Sequence, residues 1–338
     1  MVPEYMIDWW LGFIHAWLAE LTGLVGQGSK RIFVGYLISA TIIAVLWLMW
    51  QRRLNLAGAF AWLFQGKTWW SQSSRSDYQM MFINQPIMLL LSPLMLSKLA
   101  LATTLFYTLT DWVTRPLWSS DISTFWVSVI FTSCLFVVDD ASRYYLHRLM
   151  HRWPVLWAFH RVHHTAESLT PFTVLRTHPI EGLLFGLRSV LVQGLLIGVF
   201  VFIFADRVTL LSLLGANAVT AVLNLLGSNL RHSPVPISYG KTLERWLISP
   251  AQHQIHHSQA RQHWDKNFGA FIALWDRLGG TLEYGSNTQT LSYGLVGQRP
   301  TEHQLVNLYW QPFKRCWQSF RRHKGDLISA PNVTSETS

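Results

Sequence analysis

Nine of the fourteen histidines fall in four places where their spacing permits shared metal ligation. His147 and His151 form an HxxxH pair, and His160, His163 and His164 form HxxHH. His232 stands alone after an apolar hairpin, and His253, His256 and His257 form a second HxxHH. Neutral imidazole is the commonest nitrogen ligand for iron, zinc, copper and nickel. On a helix, positions i and i+4 share a face about 6 Å apart along the axis. His147 and His151 can therefore address one ion or two adjacent ones. In HxxHH the i, i+3 and i+4 positions also share a face, so each motif can supply three nitrogens. Nine candidates exceed what one ion accepts, because a structural zinc takes four ligands and a catalytic one about three. The pattern points to two metals of higher coordination with positions left open. A nearly all-nitrogen donor set fits iron, and open iron beside apolar helices suggests oxygen chemistry on a lipid. Zinc satisfies the same ligand types.

Several polar neighbours admit two readings each. Asp140 and Tyr144 extend the His147/His151 stripe upstream on the same helical face. Asp140 is either a carboxylate that fixes an imidazole tautomer or an interfacial charge at a helix end. His232, in SNLRHS, is read as a ligand, the alternative being a capping or phosphate-facing histidine. His178, in RTHPIEG, is a ligand, a partner of one, or a residue that orients the turn before Pro179. His263 lacks motif spacing, and His15, His303 and His323 are read as surface or interfacial. Asn224 and Asn229, at the end of an apolar run, are functional groups or helix–helix hydrogen-bonding ones.

The elements that must position these residues are membrane helices. Half of the 338 residues are hydrophobic, 14% are aromatic and only 13% are charged, and the mean hydropathy is +0.21. Several apolar runs approach the ~20 residues needed to cross a bilayer. The eighteen tryptophans suit the boundary belts of such a protein, and Trp47, Trp50, Trp69, Trp70, Trp112 and Trp118 flank apolar runs. The net charge of +9 fits basic loops of a multi-pass protein better than nucleic-acid binding, since no basic run is interleaved with aromatics on a polar face. Two cysteines far apart exclude a disulfide framework and a four-cysteine iron–sulfur cluster. Glu4 and Asp8, with no early basic residue, make a poor signal peptide.

Residues 1–29 read as an interfacial segment or, failing that, a first crossing, and 32–50 as a transmembrane helix. A polar stretch from about 65 to 79 leads into 82–107, where Pro86, Pro93 and Lys98 predict a kinked crossing or a helical hairpin. Residues 124–138 form the next crossing. Residues 183–204 and 208–227, separated by Ala205, Asp206 and Arg207, predict a tight hairpin. That hairpin returns His232 and the third cluster to the side on which the chain left the second. The same side carries Arg143, Arg148, Arg152, Arg161 and Arg176, against Arg115 and Arg207 opposite, so the positive-inside bias puts all nine histidines in the cytoplasm. The Asn332-Val-Thr334 glycosylation triplet falls on the same side and is discounted.

The runs DDASRYYLHRLMH, WAFHRVHHTAES and HQIHHS, the last followed by DKNFGAFIALWDRLGGT, resemble the fatty acid hydroxylase/sterol desaturase superfamily of membrane di-iron enzymes over roughly residues 125–285. The DKNFG…WDRLGGT segment and the YGL at 293–295 are most similar to the alkylglycerol monooxygenase-like branch and its bacterial members. THPIEG is similar to the sterol desaturase and sterol methyl oxidase branches. The resemblance implies that His147, His151, His160, His163, His164, His253, His256 and His257 bind two Fe ions, which Zn can replace in purified protein, with His232 matching a further histidine. Asp140, Tyr144, Arg148, Glu167, Arg176, Asn267 and Asp276 fall on recurring positions with structural or ligand-supporting roles, and His178 stays a candidate for the latter. Residues 1–110 are not covered. Classical acyl desaturases have a longer first spacing than HxxxH, which favours hydroxylation.

The expectation is an all-α, multi-pass transmembrane bundle with a cytoplasmic histidine-rich cap around a dinuclear metal site. Its parts are 1–110 (interfacial and membrane helices), 111–285 (catalytic domain) and 286–338 (a polar tail). The expected activity is a di-iron monooxygenase that hydroxylates a C–H bond of a fatty acyl, alkylglycerol or sterol-like lipid with O2. Electrons come from a separate reductase, ferredoxin or cytochrome b5-like donor, since no flavin, haem or iron–sulfur motif occurs in the chain. A bacterial inner membrane is preferred over the endoplasmic reticulum. The alternatives are a lipid or sterol desaturase on the same centre and, more remotely, a non-catalytic membrane metal-binding protein.

Overall fold

A computed structural model describes residues 4–95, 97–114, 121–208 and 210–328. Arg115, Trp118 and the Asn332–Thr334 triplet lie outside the described residues. Every extended element is helical, and the β pairing among the described residues amounts to two isolated bridges, Leu247 with Ile272 and Ser258 with Tyr293.

The N-terminal part comprises α1 (Glu4–Gly26), α2 (Val34–Gln51) and the short α3 (Leu56–Leu63) and α4 (Gly66–Trp69). The broken pair α5 (Gln72–Leu91) and α6 (Lys98–Trp112) follows. The histidine-bearing part comprises α7 (Thr124–Arg152), α8 (Pro154–His164), α9 (Pro179–Phe204) and α10 (Leu210–Leu225). Short α11 (Gly240–Leu243), α12 (Pro250–His256) and α13 (Leu274–Gly279) come next, and α14 (Leu305–Ile328) closes the described chain. Among the described residues three helices, α2, α7 and α9, are long and apolar enough to cross a membrane, and the protein is an integral membrane protein. The expected crossing at 208–227 is realised as α10, whose 16 residues fall short of the ~20 of a full span.

Local chemistry sets the helix ends. Pro154, Pro179 and Pro250 each sit in the first turn of α8, α9 and α12, where the missing N–H costs nothing. Ser249 and Gln252 cap α12 reciprocally. The α9–α10 hairpin turns at Ala205, held at φ 49°, and packs back on α7. Phe131, Leu135, Phe200 and Phe204 form the buried core between α7 and α9.

A glycine ridge on α9 determines how closely the α5–α6 arm can lie against it. A Cβ at Gly182 would meet Met88 Sδ at 3.5 Å, one at Gly194 would meet Leu101 Cδ2 at 2.9 Å, and one at Gly198 would meet the Ala102 carbonyl at 2.9 Å. Small residues at such spacing let two membrane helices approach backbone to backbone. The arm is kinked, as Pro86 and Pro93 suggest, with a 3-10 turn at Ser92–Leu94 between its helices.

Two regions differ from expectation for stated reasons. The polar stretch before 82 is not a connector throughout, because its second half forms the first turns of α5. Ser73, Ser74, Ser76 and Asp77 are buried there, since they bind protein groups instead of water. The segment after 286 is not a free tail. Leu308 of α14 joins Met80 and Val162 in a buried cluster against α5 and α8. His303, read as a surface residue, is buried beside Arg176 and Gln298. His15 is exposed as expected.

Replacing Gly198 by Leu should force α6 off α9 and destabilise the bundle by about 1–3 kcal/mol, visible as a lower melting temperature in detergent. Gly12→Leu on α1, where a Cβ meets nothing within 4 Å, should not lower it.

Candidate metal centre

The nine histidines converge in two groups. His147, His151, His160, His164 and His256 form one, and His163, His232, His253 and His257 form the other, with the ligand-capable nitrogens of each group within 4.8 Å of one another. The shared face of HxxHH is thus divided. In each motif the i+3 position parts from i and i+4: His160 and His164 serve the first group and His163 the second, while His253 and His257 serve the second and His256 the first. The groups touch through ring contacts such as His164–His257, with centroids 4.7 Å apart, and His253–His256, at 5.5 Å.

The elements explain the convergence. α7 carries His147 and His151 on its last turns, and Pro154 restarts the chain as α8, which lays the first HxxHH across them. The α9–α10 hairpin then brings the chain back through left-handed Gly227 (φ 94°) into the 3-10 turn Ser228–His232. α12 presents the second HxxHH, with only its last histidine at the helix C-cap.

The hydrogen bonds fix the tautomers. His147 Nδ1 donates to the Phe268 carbonyl at 2.8 Å, His256 Nδ1 to the Lys266 carbonyl at 2.8 Å, and His163 Nδ1 to the Arg176 carbonyl at 3.3 Å. A carbonyl can only accept, so in each ring the proton sits on Nδ1 and Nε2 presents a lone pair. His160 Nδ1 donates to Glu181 Oε1 at 2.8 Å, both side chains being buried, and Asp265 Oδ1 lies 3.6 Å from His151 Nδ1.

These constraints leave buried lone pairs that a cation would satisfy. Among the described residues, His147 Nε2, His151 Nε2 and His256 Nε2 have no hydrogen-bond partner. His232 Nε2 faces three others, those of His253, His257 and His163, at 3.0, 3.2 and 3.2 Å. One proton could bridge only one such pair. Ligands about 2 Å from an ion stand about 3 Å apart along an edge of its coordination sphere, the spacing observed. Burial, reinforced by the neighbouring rings, holds His160, His164, His232, His253 and His257 well below the ordinary 6.5, and burial pushes His163 down to about 3. The rings are therefore neutral, the form that binds metal.

The polar residues expected to support the ligands do so mostly at one remove. Asp140 accepts from Phe271 N, Ile272 N and the Trp275 indole at 2.9–3.0 Å, not from an imidazole. Asp276 accepts from Phe268 N and Gly269 N, and from Thr281 Oγ1, which also meets Tyr144 Oη. Arg148 donates to Tyr144 Oη. Asn267, left-handed at φ 56°, donates to the Gln252 carbonyl and accepts from Glu283 N. Together these clamp the loop whose Lys266 and Phe268 carbonyls hold His256 and His147. Arg176, fully buried, pairs with Asp77 at 2.6 Å and reaches Thr165 and Ser73, which fixes the carbonyl that holds His163. Glu167 lies 3.3 Å from His303.

His178 joins neither group. Its Nδ1 accepts from Ile180 N as the cap of α9 and its Nε2 donates to the Tyr309 carbonyl of α14, so its role is the turn-orienting alternative. His263 donates to or accepts from Ser258 Oγ, away from both groups. Glu181 was missed as a ligand-supporting residue, although a carboxylate in the first turn of an otherwise apolar membrane helix is itself a signal. Backbone carbonyls such as Phe268 carry no sequence signal.

A cavity of 390 Å³ opens onto His151, His164, His256 and His257. Trp157, Trp264, Leu295 and Val296 give it apolar walls, with Arg161 and Asp265 among its polar groups. Its size lies within the range of small-ligand sites.

Residues 132–281 match the fatty acid hydroxylase family. The chain is 30% identical to alkylglycerol monooxygenase of Danio rerio over 191 residues, 56% of this chain and 38% of that protein. It is 29% identical to an ornithine lipid hydroxylase of Rhizobium tropici over 182 residues, 53% of this chain and 49% of that one. It is also 30% identical to the Delta(7)-sterol 5(6)-desaturase of Eremothecium gossypii over 191 residues, 56% of this chain and 43% of that one. The chain thus spans less than half the length of these relatives. No solved structure matches at a significant level.

Glu181→Gln should weaken metal binding by about 10–100-fold, read by titration with a competing chelator, whereas His178→Ala should keep the metal and lose only about 1 kcal/mol of helix capping. The depressed histidine pKa values mean that the unfolded chain takes up protons below about 6.5 that the folded, metal-free protein refuses. Metal-free protein should therefore melt progressively lower as the pH falls below that value, and metal-loaded protein should resist the change.

Residues 132–281 of this membrane protein thus match the fatty acid hydroxylase family, and the chain is similar there to lipid hydroxylases and a sterol desaturase.

Proposed function

We propose that the protein is a di-iron oxygenase that hydroxylates a C–H bond of a membrane lipid. The observation that carries this reading is the 5:4 division of buried, neutral imidazoles around two points, next to a cavity with apolar walls. Six-coordinate ions held this way would keep one open position in the first group and two in the second. When bound, the iron pair would supply the reduction of dioxygen and the transfer of one oxygen atom to carbon.

The chain's own residues do the rest. The carbonyls of Lys266, Phe268 and Arg176 and the Glu181 carboxylate aim the lone pairs, so little reorganisation is needed when an ion enters. Trp157, Trp264, Leu295 and Val296 give an alkyl segment an apolar surface beside His151 and His164 and displace water from it. Electrons come from a separate reductase, ferredoxin or cytochrome b5-like protein. The arginines around the histidine helices, Arg148, Arg152 and Arg161 among them, support a cytoplasmic site in a bacterial inner membrane and an acidic donor surface. Alkylglycerol, fatty acyl and sterol-like lipids are the substrate classes considered. The similarity to a sterol desaturase favours a second reading, desaturation on the same centre.

The first test is the metal content of detergent-purified protein. About two irons per chain are expected, about one in His163→Ala or His256→Ala, which strip different groups, and little in the double variant. Lipid extracts from cells with and without the protein should then differ by a gain of one oxygen; a loss of two hydrogens would select the desaturase. Stoichiometric zinc that anaerobic iron loading cannot replace would overturn the oxygenase reading.

A further inference from the structure

A second cavity, of 350 Å³, lies on the other side of the ligand-bearing end of α7. α7, α9 and α10 wall it, together with the turn before α2 and the loop after Gly269. Leu135, Phe136 and Ile197 make an apolar floor, and Ser29, Arg143 and Gln193 are polar groups around it. The cavity is therefore amphipathic, and two of its walls are candidate membrane spans.

The charges around it do not balance. Arg143 donates through Nε to Asp139 Oδ2 at 2.8 Å. Among the described residues its two Nη groups have no hydrogen-bond partner, and its side chain is 41% exposed where it lines the cavity. Asp139 is shared further, with Arg188 at 3.0 Å and with Gln193, which in turn accepts from Lys98 Nζ at 2.6 Å. Arg188 Nε is buried without a partner among the described residues. Arg31, two residues from Ser29, binds only neutral acceptors, Asn229 Oδ1 and the Ser228 carbonyl. Arg231 is 6% exposed and stacks 4.7 Å over Phe271, another residue of the cavity wall. Among the described residues it has neither a hydrogen bond nor a carboxylate within ion-pair distance. Asp140 also lines the cavity, but three N–H groups already occupy its oxygens. Five cations thus surround two committed carboxylates. An unpaired guanidinium at low dielectric is costly, and guanidinium groups match phosphate and carboxylate by geometry as well as charge.

We propose that this cavity holds the anionic head of a membrane lipid, a phosphate or carboxylate, on the Nη groups of Arg143. Arg31 and Arg231 add positive potential from behind the wall, and the first carbons of the lipid chain lie on Leu135, Phe136 and Ile197. The site is separate from the metal-facing cavity and does not depend on the hydroxylase reading. A lipid seated there would complete the charge balance of the α7–α9 interface immediately beside the ligand helix.

The test is native mass spectrometry of purified protein mixed with equal amounts of phosphatidylglycerol and phosphatidylcholine, with orthophosphate binding measured separately. Wild-type protein should retain phosphatidylglycerol over phosphatidylcholine, and Arg143→Gln or Arg31→Gln should cut that retention about tenfold while metal content is kept. Arg75→Gln, an exposed change on α5, which does not line the cavity, should match wild type. Asp139 keeps Arg188 and Gln193 in the Arg143 variant, so its fold should persist; if it does not, the lipid competition on wild type still decides. Equal retention of the two lipids, or arginine variants that behave as wild type, would overturn the proposal. Orthophosphate bound as tightly as phosphatidylglycerol would assign the site to a free ion and equally overturn it.

Discussion

The structure depends on one requirement: many imidazoles must be buried together with their lone pairs pointing inward. Left to themselves, nine such rings would reorient or protonate. Carbonyl acceptors prevent this by fixing the proton on Nδ1 of His147, His163 and His256. Those carbonyls belong to irregular backbone, which must itself be held. Asp140, Asp276 and Asn267 immobilise the segment around Lys266–Phe271, and the Arg176–Asp77 pair immobilises the segment before α9. Buried charge in this protein is thus spent on backbone geometry, and the backbone transmits it to the ligands.

The division of the two HxxHH motifs has a second effect. Because His163 and His256 each cross to the group opposite their motif neighbours, neither group belongs to one element. A shift of α8 or α12 would disturb both groups at once. This couples the geometry of the two sites more tightly than two separate four-ligand pockets would be, and it explains why His164 and His257, of different groups, stack at 4.7 Å.

Much of this was legible in the chain. The i, i+4 spacing of His147 and His151, the two HxxHH runs and the even return of the 183–227 hairpin were enough to place nine histidines together, His232 included. Helical periodicity alone could not say how they would be shared, because i+3 and i+4 differ by about 100° around the axis, and which ion each meets depends on the partner helices. Asp140 reads as an imidazole partner or as an interfacial charge at a helix end, and it instead faces the loop. Local spacing does not show what will pack opposite a side chain. Polar residues 72–77 looked like a connector, since their burial depends on Arg176, about a hundred positions later. His303 was hidden for the same reason. Glu181 could have been found, standing almost alone as a charge in an apolar helix.

The delivery of His232 by a turn that follows the α9–α10 hairpin has a consequence for biogenesis. His147 to His164 leave the ribosome before the hairpin, and His232 to His257 leave after it. Each group draws ligands from both sets, His256 completing the first and His232, His253 and His257 most of the second. Neither group can therefore be assembled on a nascent chain whose hairpin has not been inserted. On the proposed function, metal acquisition becomes a late event in maturation, and a chain that stalls in the membrane carries half-sites instead of two complete ligand groups.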